Sequence, residues 1–185
     1  KSQTGTYSIE VNSQQGFKIN IPSRVKSGKY KISVWASKDN YANARIYDGL
    51  SLTSFNGEQV IAGDWVLLNH YVDWDTNSKI VYVSSSSGNI FYDDIRVHPI
   101  AASLTNYVYD EWGELEAVLG SSNLATRYEY NEIGQLIRTY SEVLDEPGVT
   151  GGFKKFHEYV YNYKINSENQ NTVDPVLASI TYGTS

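Results

Sequence analysis

Asp93 and Asp94 stand side by side in the segment NIFYDDIRVHP. Hard cations take carboxylate and carbonyl oxygens, so the pair raises a structural calcium. Side chains alternate across a strand, so two adjacent acids deliver at most one carboxylate to a given site. Without a cation they read as an edge-strand acid and a turn-anchoring acid. Asp73 and Asp75 lie on one strand-like run, with Cα atoms about 6.5–7 Å apart. That overlaps the carboxyl spacing of glycosidases. Two carboxylates on one exposed strand more commonly form a solvated face, and no other polar constellation supports hydrolysis.

Aromatic side chains offer a second chemistry. In GKYKISVWAS, Trp35 shares its strand face with Lys31, Ser33 and Ser37. A ring on a polar face is a platform for stacking a sugar; the alternative is that it packs under a loop or another strand. Trp65 and Trp74 bracket the run DWVLLNHYVDW at positions of opposite parity, so they point to opposite faces and one belongs to the core. Trp74 with His70 is the second carbohydrate candidate, as the lining of a groove. Trp112 sits in the turn DEWGE and covers a hairpin. His70, His98 and His157 lack metal-ligand spacing. No Gly-x-Ser-x-Gly elbow, phosphate loop or dinucleotide fingerprint is present. GVTGGF has no strand-loop-helix context and reads as a turn between strands. The balance is against an enzyme and against any cofactor other than calcium.

Alternating runs must position these residues. TYSIEV, GFKINI, GKYKISVWAS, ARIYDGLSL, GDWVLLNHYVDW, SKIVYVSSSS and NIFYDDIRVHP each alternate apolar with polar residues between Gly, Asn, Ser and Asp breaks. Seven or so short strands with regular turn signals predict a β-sandwich over residues 1–99. Pro99 marks a change, and residues 98–106 read as a linker.

A repeat follows. YVYDEWGEL and YEYNEIGQL say nearly the same thing, and YVYNYK begins a third, imperfect copy. The alternation puts both tyrosines of each pair on one strand face. Asp110 or Asn131 ends the strand by bonding its own backbone two residues on. Gly113 and Gly134 supply positive φ. Leu115 and Leu136 open the return strand. Each copy is a β-hairpin, marginal in water alone, so the copies over 104–165 must stack on one another and pack against the sandwich to bury their tyrosines. LDEPGVTGG is a loop before the third copy. Residues 166–185 form a polar tail, with one last strand in VLASITYG.

Composition narrows the partners. The chain has 185 residues with a net charge of −6 and scattered basic residues. That argues against nucleic acid, which calls for a basic patch. Tyrosine is the outlier at 16 residues and favours half-buried strands. With no cysteine, disulfides and thiolate sites are excluded. No apolar run approaches the ~18 residues of a membrane span. The chain has no methionine, so Lys1 is not a translation start and the sequence reads as processed or as a piece of something longer.

The residues Tyr107, Tyr109, Asp110, Gly113, Leu115 and Tyr128, Tyr130, Asn131, Gly134, Leu136 resemble the YD-repeat, or Rhs-type, family of bacterial surface and secreted proteins. Asn131 replaces the usual aspartate. The third copy keeps Tyr159, Tyr161 and Asn162 but lacks the glycine and leucine, as a terminal cap. TGTYSIEV, GKYKISVWAS, GDWVLLNHYV and NIFYDDIRVHP resemble a jelly-roll sandwich of the carbohydrate-binding-module type, lacking its first strands. Together these resemblances imply an all-β chain: a jelly-roll-like sandwich truncated at its N-terminus, then a short repeat sheet. They imply a non-enzymatic structural or adhesive piece of a large bacterial protein, outside the cell or on its surface. Its partners would be the rest of that chain, a glycan, or another copy through exposed strand edges. The alternative is a lectin-like carbohydrate-binding module.

Overall fold

The computed structural model describes residues 2–13, 16–23, 25–77, 79–165, 173–176 and 180–182, and side chains as far as residue 161. The fold is all-β. The sandwich contains β1 (Ile9–Asn12), β2 (Gly16–Ile21), β3 (Gly28–Ser37), β4 (Ala44–Tyr47), β5 (Leu52–Thr53), β6 (Gln59–Ala62), β7 (Trp65–Trp74), β8 (Lys79–Ser85) and β9 (Asn89–Pro99). Five strands form one sheet in the order β1-β9-β3-β7-β6, and four form the other in the order β2-β8-β4-β5. All pairings are antiparallel. The run ARIYDGLSL is split by its Asp-Gly turn into β4 and β5, and β6 is an additional strand.

Alternation decides what faces inward. On β3, Tyr30, Ile32, Val34 and Ala36 point between the sheets, opposite Val72, His70, Leu68 and Val66 of β7. From the other sheet, Ile46, Val81 and Val83 meet them. Trp74 joins this core, its ring tilted on Tyr30 at 4.8 Å between centroids. Full burial of side chains of this size stabilises by about 1.5–3 kcal/mol each.

On β9 the alternation breaks once. The register against β3 shifts between Ser33 and Trp35, and Asp94 there has a φ of +47°. The extra residue is a β-bulge. Before it Ile90 and Tyr92 face the core; after it Ile95 and Val97 do. The bulge lets one strand keep apolar residues inward on both sides of an acidic pair.

The second unit is a six-stranded antiparallel sheet in the order β10-β11-β12-β13-β14-β17. It comprises β10 (Asn106–Tyr109), β11 (Leu115–Leu119), β12 (Ala125–Tyr130), β13 (Leu136–Val143), β14 (Gly152–Tyr159) and β17 (Ile180–Tyr182); β15 (Asn162–Ile165) and β16 (Val173–Val176) pair separately. The last strand expected in VLASITYG is β17, while residues 166–172, expected to be a polar tail, lie outside the described ones. The turns follow the repeat chemistry. Asp110 Oδ1 accepts the N–H of Trp112 and of Glu114, both at 2.8 Å. Asn131 Oδ1 accepts those of Ile133 at 3.2 Å and Gln135 at 2.9 Å. Gly113 and Gly134 have φ of +81° and +76°.

The copies are also tied across strands. Tyr130 Oη donates to the carbonyl of Leu115 at 3.1 Å, and Tyr161 Oη donates to that of Leu136 at 2.8 Å. The second tyrosine of one copy thus bonds the leucine of the copy before it, and the incomplete third copy keeps this contact.

The sheet stands on the sandwich by one end. It does not bury its tyrosines there: Tyr107 and Tyr109 are each 59% exposed. The contact is made by the β11–β12 turn and the β13–β14 loop, the ends opposite the Tyr-x-Tyr turns. Their Leu124 and Leu144 pack on Trp35, Ala62, Trp65 and Leu67, the outer face of the sandwich.

Candidate functional site

The carbohydrate candidates of the sandwich are not surface rings. Trp35 is 0% exposed, Trp74 2% and His70 2%. A sugar cannot stack on a ring without an open face, which removes all three as platforms. Each has a structural partner. Trp35 Nε1 donates to the carbonyl of Asn123 at 3.0 Å, and Trp74 Nε1 to that of Asp48 at 2.7 Å. His70 Nε2 lies 3.0 Å from Asp48 Oδ2. Burial would raise the Asp48 carboxyl, but the N–H groups of Ser51 and Leu50 and the His70 ring hold it below its usual value. Asp48 therefore pins both members of the proposed groove from inside the core.

Asp73 is exposed on β7. Asp75 accepts from Lys79 Nζ, from the Asn77 N–H at 3.1 Å and from Asn77 Nδ2 at 2.7 Å. The Lys79 contact, then the Asn77 N–H, hold its carboxyl low. It is a turn anchor bound to its own loop.

Asp93 and Asp94 sit at the junction of the two units. The bulge overturns the expectation that only one of them reaches a given place. Asp93 Oδ2 accepts the N–H of Gln3 at 2.7 Å and of Thr4 at 3.3 Å, while Asp94 Oδ2 accepts from Thr4 Oγ1 at 2.6 Å. Both carboxylates hold the same N-terminal segment. Glu142 of β13 holds it from the repeat sheet: one oxygen accepts from Gln3 Nε2, the other from the Ala125 N–H at 2.9 Å. Burial raises all three acids. Asp94 is pushed up to about 6 by burial and by the charge of Asp93, and Glu142 to about 7 by burial, with Asp94 adding to it. For Asp93 burial outweighs its N–H donors.

No group of three or more His, Cys, Asp or Glu side chains among the described residues is arranged to hold a metal. Three of the four carboxylate oxygens of Asp93 and Asp94 accept from Gln3, Thr4 and the Asp94 N–H.

Two further clasps were not legible in the sequence. Arg96, 3% exposed, donates to the carbonyls of Gly120 at 2.7 Å and Leu119 at 2.8 Å. Asp145 Oδ1 accepts the N–H of Gly63 at 2.8 Å and of Gly151 at 2.7 Å, and its Oδ2 pairs with Lys38 Nζ at 3.0 Å. The Gly63 N–H, then Lys38, draw its carboxyl down to about 2. A sequence signal for the covered outer face did exist. Trp65, Val66, Leu67 and Leu68 are consecutive and apolar, which marks a strand buried on both faces.

One open feature of the junction is a cleft of about 870 Å³ between Thr4–Tyr7, the Asp93–Asp94 bulge and the β10–β11 hairpin. Tyr7, Tyr109 and Trp112 stand around it, 85%, 59% and 82% exposed. Trp112 does not cover its hairpin. Asp110, Glu111 and Glu116 also line the cleft, with no Lys or Arg among its lining residues. Carboxylates and flat rings in one open cleft suit a polyhydroxylated ligand, as acceptors for hydroxyls and stacking surfaces for ring carbons. Among the described residues no helix is long and apolar enough to cross a membrane. Scanned against known protein-family models the chain matches none, and a search of curated proteins likewise finds no match.

Proposed function

We propose that this chain is a non-enzymatic structural or adhesive module of a larger bacterial protein of YD-repeat type, displayed on the cell surface or secreted. The observation that carries this reading is the repeated Tyr-to-Leu contact: Tyr130 to Leu115 and Tyr161 to Leu136. A contact reproduced at equivalent positions is the mark of a sheet that grows by adding copies. The sandwich supplies a base for that sheet through Arg96, Trp35 and Asp145. This reading is tested by an assay for turnover on glycoside and ester panels together with a thermal transition. No turnover, with sandwich and sheet melting together, supports it. Turnover lost on substitution of a cleft carboxylate such as Glu111 overturns it.

One observation favours a second reading, carbohydrate binding. The exposed rings at the cleft, Tyr7 and Trp112, occupy the role sought at Trp35 and Trp74. A glycan array with and without calcium, using Trp112→Ala as control, separates the two. Binding lost in that variant makes the chain a lectin-like module. Silence from a folded protein leaves the scaffold.

A further inference from the structure

We propose that β10 is a self-association edge, and that two copies of this chain pair antiparallel along it into a twofold dimer with one continuous twelve-stranded sheet, six strands from each copy.

Sheet edges are normally blunted by charge, proline, shortness or a covering element. The described edges of the sandwich follow this rule. β1 carries Glu10, β2 carries Lys18, β5 is only Leu52–Thr53, and on β6 the Ile61 carbonyl is taken by the N–H of Asp145 at 2.7 Å. β10 does not. Residues 100–109 contain no charged side chain, and the strand itself is Asn-Tyr-Val-Tyr. Tyr107 and Tyr109 stand on one face, each 59% exposed. Uncharged, aromatic and β-branched, it is the kind of edge that recruits another strand.

The repeat contact shows what is missing there. Tyr130 and Tyr161 each donate to a carbonyl of the neighbouring antiparallel strand. Tyr109 is their counterpart in the first copy, and β10 is the outer strand, with no strand beyond it among the described residues to offer that carbonyl. Among the described residues, those preceding β10 form the sandwich and supply no hairpin to that place.

A second copy fits it by symmetry. A twofold axis normal to the sheet runs the second β10 antiparallel to the first and keeps each side chain on its own face. Centred on Val108, it sets Tyr107 of each copy opposite Tyr109 of the other, two aromatic cross-strand pairs with no like charges facing. Each sandwich sits at the Asn106 end of β10, because Leu119, opposite Asn106, is tied to Arg96. Antiparallel pairing therefore sends the two sandwiches to opposite ends of the shared sheet. Head-to-tail addition through β17 would set them side by side at one end. The net charge of −6 per copy opposes association, so added salt favours the dimer.

The test is the solution mass across a concentration series, by light scattering and sedimentation, for the whole chain. Tyr107→Lys is the edge variant, and Val108→Cys is the cross-linking variant in a protein with no cysteine of its own. At the centre of the pairing, two copies of residue 108 lie within disulfide reach, their Cα atoms about 4.5–5.5 Å apart. The expected result is a mass of twice the chain that halves in Tyr107→Lys, and a disulfide-linked dimer from Val108→Cys but not from Lys155→Cys on β14. A monomer at every concentration overturns the proposal. So does a dimer that ignores Tyr107→Lys and fails to cross-link at 108, or growth into open-ended oligomers. If Tyr107→Lys does not fold, the cross-linking pair alone decides.

Discussion

Trp35 and Asn123 lie 88 residues apart in sequence, yet the indole N–H of the first donates to the backbone carbonyl of the second at 3.0 Å. That bond crosses from the outer face of the sandwich to the β11–β12 turn of the repeat sheet. Trp35→Phe keeps most of the apolar contact but leaves the Asn123 carbonyl without this donor, at a cost of about 1–3 kcal/mol. Trp35→Ala also opens a cavity and is expected to cost about 3–5 kcal/mol. Urea denaturation measures both. Equal stability of Trp35→Phe and the parent chain would remove the bond as a tie between the units.

Asp48 holds the sandwich core from within. Its Oδ2 faces His70, its Oδ1 accepts the N–H of Leu50 and Ser51 at 2.9 Å each, and its carbonyl accepts from Trp74. Asp48→Ala strands the buried His70 and both amides, and the expected loss is about 3 kcal/mol or more. Chemical denaturation of Asp48→Ala beside His70→Ala, with the double variant, gives the coupling between the two. Additive losses would contradict a direct interaction.

Acidity acts on the junction in an unusual direction. Glu142 and Asp94 have folded-state values of about 7 and about 6, above the ordinary 4.5 and 3.8. The unfolded chain therefore releases these protons first as pH rises. Their contribution is complete below about pH 4 and is lost as pH climbs through 6 and 7. For Glu142 the change is on the order of 3 kcal/mol. Asp48 and Asp145 act oppositely: their carboxyls are held low, and that stability is lost as pH falls below about 4. Maximum stability is expected near pH 4–5, declining toward pH 8. A series of thermal midpoints checks it, with Glu142→Gln expected to flatten the decline. A midpoint rising steadily from pH 5 to 8 would contradict the assignment.

The repeated tyrosine contact predicts a pattern along the sheet. Tyr130→Phe and Tyr161→Phe each lose one hydrogen bond and are expected to cost about 1 kcal/mol. Tyr109→Phe, at the open edge, is expected to leave the unfolding midpoint of dilute protein unchanged. Three equal losses would mean that the hydroxyls matter through something other than the neighbouring strand.

Two glycines separate crowding from backbone strain. A Cβ on Gly151 would sit 2.4 Å from the Val143 carbonyl oxygen, against backbone that cannot yield cheaply. A Cβ on Gly113 would meet nothing within 4 Å, but φ there is +81°. Gly151→Ala is expected to cost about 2–3 kcal/mol and Gly113→Ala about 1 kcal/mol, both read from urea midpoints. The reverse order would mean that the β13–β14 loop relaxes freely.

What the amino-acid sequence determined by itself was local. Strands β2, β3 and β9 follow the runs GFKINI, GKYKISVWAS and NIFYDDIRVHP, because period-two alternation and turn residues act over neighbouring positions. The Asx–Gly hairpin turns were legible for the same reason: Asp110 and Gly113 need only their own backbone. Alternation marked the inner face of β3, but what covers its outer face at Trp35 was not local. Trp35 lies among polar neighbours on its strand and would be a surface ring if the sandwich ended the chain. The repeat sheet, folded from residues far downstream, covers it. The same holds for Asp93 and Asp94: adjacent acids alternate on a regular strand, and only pairing against β3 created the bulge that turns both toward Thr4. The cleft between Tyr7 and Trp112 is likewise a product of docking, since its walls come from the N-terminal segment and from a hairpin about a hundred residues later, and no window of sequence contains both.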